Sequence, residues 1–478
     1  MKYVSGIIRK GVGVVLLGWS CATPKGFSEE TLSLPEAVSE AVEHNFDLAA
    51  ARLRAVFPEI QVQIEKSDFR WRVRPSFALE RSSEHLVLTR LAGTASKEFS
   101  SGALFQTRAE WTTREEGRDS ESVEVRVEQP LFRRFGELAA LRNVDAATHR
   151  LHMARWNLQR ETGMLMMRVV RAFTSALNQE RRVEREALAL ARADDLVRMV
   201  QMKRRQGRAT VVDVLEMKTL HQEAELRLRR AEEHLIRTRA ELAELLGRVA
   251  EQVPELEPVA LDPWEGVPAA ESEKLAREHR VERMQALASY EDARRQLKLE
   301  RRELYPDISL VGSWEPVAVE NEGNWFFGLS GGGTLDRHVT ELEVEQQEAR
   351  VHAALMEVAS VELQLSREVR EALSRLRMVE EELRLADTRT ELASKRLRMT
   401  RGLYPGGRTS ALQLREAEEE WVEAEAELDE LRLERVRARY GYWHALGLLV
   451  GGAPEEGTEG IPPRPTEEGS LPVSVSEE

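Results

Sequence analysis

The side chains that most often carry chemistry are scattered in this chain. Ten histidines, one cysteine and 83 acidic residues would have to supply any metal or nucleophilic site. The ten histidines fall into no metal-ligand pattern with the acids or with the cysteine, Cys21. A single thiol also excludes a disulfide framework and any paired-cysteine motif. Met164, Met166 and Met167 have the softness for a copper track, yet at helical spacing they read as packing residues. Gly331, Gly332 and Gly333 follow a strand and open a helix, as a phosphate-binding loop would, but no lysine with a following serine or threonine accompanies them. Glu416 and Glu418 to Glu420 form an acidic run that reads as a solvated face. No serine, histidine and aspartate fall into a catalytic arrangement. The sequence therefore predicts no enzyme, no cofactor and no bound metal.

With 478 residues, 42% apolar and 32% charged, the chain can bury a substantial core. Its formal charge is −14, and the basic residues are mixed among acids rather than gathered into a stripe, which argues against a nucleic-acid partner. Lys2, Arg9 and Lys10 precede a short apolar stretch from Gly11 to Trp19, the pattern of an export signal over residues 1–22. Cleavage after Ala22 competes with lipid attachment at Cys21. No later segment approaches about 20 consecutive apolar residues, so a membrane crossing would have to be made by strands.

The chain is an internal duplication. A shift of 200 residues superposes Gly207, Arg208, Glu216, Glu223, Ala224, Glu225, Leu228, Arg237, Arg239, Leu246 and Gly247 on identical residues from Gly407 to Gly447. Nearer the start, Ala41, Glu43, His44 and Ala51 match Ala276, Glu278, His279 and Ala286. Each half reads as helix, strands, very long helix, glycine-centred turn, helix. Leu151, Ala154, Leu158, Leu165, Val169, Ala172, Ala176, Val183, Ala187 and Leu190 recur at steps of three, four or seven, a narrow seam suited to coiled-coil partners. That periodicity predicts one helix from Phe132 to Gln206, and another from Leu335 to Leu403. Shorter helices at Leu34–Phe69 with Thr210–Gly247, and at Glu271–Leu304 with Ser410–Leu446, would stack end to end beside them.

Period-two segments interrupt the helices. Phe105, Thr107, Ala109, Trp111 and Thr113 alternate with polar residues, and after a polar turn Val123, Val125 and Val127 alternate with Glu124, Arg126 and Glu128. Phe77 and Leu79, Ile308 and Leu310, and Trp325 to Leu329 mark further strands. One apolar and one charged face suit a barrel wall between lipid and water. So few strands cannot close alone, which calls for several chains.

The opening LSLPEAVSEAVEHNFDLAAAR, the passage VRVEQPLFRRFG, the turn QGRATVVDVLEMK and the second-half segments ELYPDISL and GGRTSALQLREAE together resemble the TolC-like outer membrane efflux proteins. The resemblance implies a mainly α chain whose duplicated coiled-coil hairpins form a trimeric α-barrel, capped by a shared twelve-stranded transmembrane β-barrel in outer membrane lipid. It implies a channel working with a periplasmic adaptor and an inner-membrane pump. Residues 32–248 and 271–449 would be the two repeats, 249–270 a Pro-rich equatorial linker, and 450–478 an acidic tail. The adaptor would dock on tips containing Arg205, Gly207, Arg208, Thr210, Gly407, Arg408 and Ser410. Asp213, Glu216, Gln413 and Glu416 would ring the periplasmic gate. The second strand-to-helix passage, GLSGGGTLDRH, departs from the family's proline and aromatic or leucine. A periplasmic adaptor or a coiled-coil scaffold without a channel shares the heptads, but neither calls for duplicated hairpins interrupted by amphipathic strands.

Overall fold

The computed structural model describes residues 31–80, 88–114, 120–207, 210–249, 253–259, 268–315, 324–333, 337–403, 408–409 and 411–449. The first half runs through helices α1 (Leu34–His44) and α2 (Phe46–Ser67), then strands β1 (Arg72–Glu80), β2 (Leu88–Glu98), β3 (Leu104–Arg114) and β4 (Ser120–Pro130). It continues through the short α3 (Glu137–Ala140), the long α4 (Arg142–Arg205) and α5 (Val211–Leu246). The second half has α6 (Ala269–His279), α7 (Val281–Glu303), β5 (Asp307–Glu315), β6 (Asn324–Gly332), the long α8 (His338–Leu403) and α9 (Ala411–Leu446). No described helix is long and apolar enough to cross a membrane.

The 64 residues of α4 and the 66 of α8 reach roughly 95–100 Å at 1.5 Å per residue. Alongside α4 lie α2 and α5, and alongside α8 lie α7 and α9, so two shorter helices do stack beside each long one. α4 starts ten residues later than its periodicity suggests. Gly136, at φ +85°, turns the chain between strand and helix, and the stretch before α4 holds only the one-turn α3. Within the predicted seam Leu151, Leu165, Val169 and Ala176 are buried, Ala154, Leu158, Ala172, Val183 and Leu190 are half-buried, and Ala187 is exposed. The seam thus thins toward the far end of the hairpin.

All six strands form one antiparallel meander in the order β1-β2-β3-β4-β5-β6. β2 is the strand that alternation did not reveal, because Ala92, Gly93, Thr94, Ala95 and Ser96 are too small and too mixed to mark a face. A twelve-stranded barrel shared by three chains uses four strands from each, and this sheet has one hairpin more.

Both predicted first helices break once, at equivalent places. Asn45 (φ −63°, ψ 126°) separates α1 from α2, and Arg280 (φ −74°, ψ 125°) separates α6 from α7. Each breaking residue is used by the helix returning from the far end. Asn45 Nδ2 donates to the Leu245 carbonyl at 3.0 Å, and Arg280 Nη1 donates to the His444 carbonyl at 3.2 Å. Orphan carbonyls at the ends of α5 and α9 are thereby satisfied from another helix. Gly247 (φ +72°) and Gly447 (φ +77°) follow those ends in the left-handed conformation. A Cβ on Gly247 would lie 2.7 Å from the His44 oxygen, and one on Gly447 would lie 2.9 Å from the His279 carbonyl. The glycines therefore let each return helix close onto the break. Around the first break Leu34, Ala41, Val169, Phe173, Leu242 and Leu246 are almost fully buried, joined by Leu32, Val253 and Leu256. Leu32 and Leu256 form a parallel bridge there, so the start of the Pro-rich linker is packed at the equator. Val369, Leu373, Leu376, Tyr442 and Leu446 repeat this core at the second break.

Two outcomes are expected at these joints. Gly247→Ala should lower stability by at least about 2 kcal/mol, combining left-handed strain with a collision against backbone. Gly207→Ala, whose Cβ would meet nothing within 4 Å, should show the strain alone, and equal melting of the two variants would contradict this. Burial, with Arg280 beside it, holds the His444 imidazole below its ordinary pKa. Its contribution is then present above about pH 6.5 and lost as the pH falls through that value toward the folded-state pKa, which thermal melts of wild type against His444→Gln would show.

Candidate functional site

The two tips lie where the long helices reverse. At the first, α4 ends in Lys203, Arg204 and Arg205, favourable at the negative end of its dipole. Gly207, at φ +72°, makes the reversal. Thr210 then starts α5 with a reciprocal cap: its backbone N–H donates to Asp213 Oδ2 at 2.7 Å, and the Asp213 N–H donates to Thr210 Oγ1 at 3.2 Å. These bonds, the backbone one first, hold the Asp213 carboxyl below its usual pKa. Its carboxylate is thereby tied to the start of α5.

At the second tip the Arg408 N–H donates to the Leu403 carbonyl at 3.3 Å, and Thr409 Oγ1 donates to the Thr400 carbonyl at 3.4 Å. Gly407 and Ser410 lie outside the described residues, as do Arg208 at the first tip and Cys21 near the start. Arg204, Arg205, Arg401 and Arg408 are all exposed and, among the described residues, take part in no ion pair.

Glu216 and Glu416 occupy matching places six residues past Thr210 and Ser410. Leu414 and Ala417 are buried as α9 packs along α8, which leaves Glu416 on an exposed side. Gln413 is exposed as well. Other acids of this stretch are engaged: Glu420 with Arg396, Glu427 with Arg389, and Glu419 with Arg415 at 3.6 Å. Neither Glu216 nor Glu416 has a cation within ion-pair distance among the described residues. Arg408, a conceivable partner for Glu416 from sequence spacing, does not pair with it. No three histidines, cysteines or acids among the described residues group as metal ligands.

At the opposite end the sheet has two distinct faces. Register places Val73, Phe77 and Leu79 beside Leu91, Trp111, Phe105, Val123, Val125 and Val127, and these beside Trp314, Trp325, Phe327 and Leu329. Phe77 is 79% exposed and Trp325 is 77% exposed, an arrangement that water penalises and lipid accepts. On the other face Arg90 and Arg108 flank Glu110 at 3.0 and 2.9 Å, and Arg134 reaches Asp307 at 3.2 Å. Phe326 is an apolar exception there. Trp71 meets Phe105 edge-on at 5.5 Å at the helical end, with Lys97 5.8 Å from the Trp71 ring. Trp111, Trp314 and Trp325 stand toward the other end, so aromatic residues bound the apolar band on both sides.

Residues 37–248 and 274–448 match the family model described as outer membrane efflux protein. No curated protein sequence matches. Among solved structures, the outer membrane protein VceC from Vibrio cholerae is 18% identical, with 87% of this chain and 96% of that one covered at a TM-score of 0.66. The Campylobacter jejuni CmeC outer membrane channel is 12% identical over 91% and 90% of the two chains, at 0.67. The open state of the Neisseria gonorrhoeae MtrE outer membrane channel is 17% identical over 87% and 89%, at 0.62.

The tip geometry gives a direct expectation. Thr210→Ala removes one side of the cap at a cost of roughly 0.5–2 kcal/mol to the helix start. Hydrogen exchange should accelerate at the amides of Asp213 and Val214 while those of Leu242 and Ala243 stay protected. Unchanged exchange in that first turn would show the cap to be dispensable.

Proposed function

Because the chain belongs to the outer membrane efflux protein family, and is an outer membrane channel that extends into the periplasm, we propose how its named residues serve export. The family is one of channels rather than enzymes. Its members are trimers that work with a periplasmic adaptor and an inner-membrane pump. In this chain the basic tips, with Arg205, Gly207, Thr210 and Arg408 as described members and Arg208, Gly407 and Ser410 beside them, receive the adaptor. Glu216, Gln413 and Glu416 ring the closed periplasmic end.

One observation carries this assignment: Glu216 and Glu416 are exposed at matching places six residues past Thr210 and Ser410, and among the described residues neither has a cation within ion-pair distance. Carboxylates brought from three chains to one axis repel each other and attract cations. Asp213, though at the same tip, is tied to Thr210, so we place it in the scaffold of the turn rather than in the aperture.

Trimers reconstituted in planar bilayers test this. Glu416→Ala should weaken block by a trivalent cation such as lanthanum several-fold. Glu418→Ala, about 200° around the same helix, should do less. Unaltered block and ion selectivity in Glu416→Ala would remove that residue from the aperture.

A further inference from the structure

The sheet carries more strands than a twelve-stranded barrel can use, and the surplus is built into its middle. β2 pairs with β1 from Arg72↔Ser96 to Glu80↔Leu88, and with β3 from Leu88↔Arg114 to Glu98↔Leu104. β3 in turn pairs with β4 from Leu104↔Glu128 to Thr112↔Ser120. Among the described residues β1 does not pair with β4, so the β2–β3 hairpin is the link between them and not an appendage.

The hairpin also obeys the two-faced pattern of the wall. Leu91 and Trp111, 55% and 52% exposed, lie on the same face as Phe77 and Val123, with Glu121 opposite Trp111 near the far end, while Arg90, Thr94, Arg108 and Glu110 continue the charged face. Its turn is anchored at the helical end. The Gly136 N–H donates to the Ser101 carbonyl at 2.9 Å, and Gly102, at φ +85°, sits so close to the strand-to-helix passage that a Cβ would lie 2.6 Å from the Arg134 oxygen.

β1 and β6 end the sheet, and their outer edges have backbone groups that hydrocarbon cannot satisfy. Both strands have nine residues. β1 leaves the helices and β6 returns to them, so β6 of one subunit is antiparallel to β1 of a second copy. With the strand ends aligned, Phe327 stands opposite Phe77 and Trp325 opposite Leu79, which keeps apolar residues on one side and polar residues on the other.

Resting on the trimer of the preceding reading, we propose that three copies close an eighteen-stranded barrel, six strands from each, through β6–β1 pairing between subunits. Strands about 4.8 Å apart and tilted 35–45° give eighteen of them a circumference of roughly 105–125 Å. Twelve helices spaced 8–10 Å apart ring roughly 95–120 Å. The two ranges overlap, so a wall of eighteen strands can continue into the helical tunnel without a large change of girth. The duct keeps its width through the outer membrane, and its constriction lies at the periplasmic tips.

Electron cryomicroscopy of trimers in lipid nanodiscs tests the count directly. Eighteen wall strands with β6 against the neighbour's β1 is the expected result. A twelve-stranded wall with β2 and β3 outside it would overturn the proposal. An assembly of other than three copies would instead refute the trimer reading, and with it the number eighteen. A pair of variants gives an independent readout. Leu91→Arg, on the lipid side, should abolish heat-modifiable outer membrane trimers, while Thr94→Arg, on the bore side, should leave them at wild-type levels. Normal trimers from Leu91→Arg would place the hairpin in water and contradict the eighteen-stranded wall.

Discussion

A sheet edge exposed to hydrocarbon leaves N–H and C=O groups with nothing to bond, and this chain's sheet has two such edges. That constraint orders the rest of the structure. It makes assembly a condition of membrane insertion rather than a later elaboration. It also fixes where the helices start, since every strand next to a long helix must deliver it to the same ring. The charged face of the sheet, with Arg90, Glu110 and Arg108 paired side by side, belongs inside that ring because its apolar face cannot.

Below the membrane, a different economy of contacts holds the hairpins. The large buried side chains, Phe173, Leu242, Leu376 and Leu433 among them, lie at the two equatorial breaks. Farther down, the seam consists largely of Ala224, Ala231, Ala386, Ala393, Ala417 and Ala424, small enough for helices to approach closely. The two halves are tied by Arg181 and Arg185, both 2.9 Å from Asp429, and by Arg192 over Trp421 at 5.8 Å. Such polar cross-links fix register between α4 and α9 without a thick core.

What the sequence revealed followed the range of the interactions involved. The Thr210–Asp213 cap is within reach of sequence reading because three residues suffice to make it. The long helices were legible because seams of seven-residue period persist over many turns. The breaks at Asn45 and Arg280 were not, since their own neighbourhoods are helical in pattern and the break is set by Leu245, Gly247, His444 and Gly447, some 165 to 200 positions away. β2 escaped notice because its identity comes from β1 and β3 on either side. The gate candidates Glu216 and Glu416 came from the family resemblance, and the duplication sets them at matching places in the two halves. The resemblance also offered Asp213, whose carboxylate bonds to Thr210, a detail that depends on which way one side chain bends.

The paired breaks have a mechanical meaning. Below each of them α5 or α9 extends 36 residues, a stiff lever of roughly 54 Å. A swing of only about 5° at the Asn45 or Arg280 fulcrum sweeps the corresponding tip through roughly 5 Å. Three levers moving in concert would change the area of the opening far more than any rearrangement of side chains at the rim. The pivot has limited play, because there is no room for even one side-chain carbon on Gly247 or Gly447 beside the His44 and His279 carbonyls, so the reach of the far end depends on two close backbone approaches at the equator.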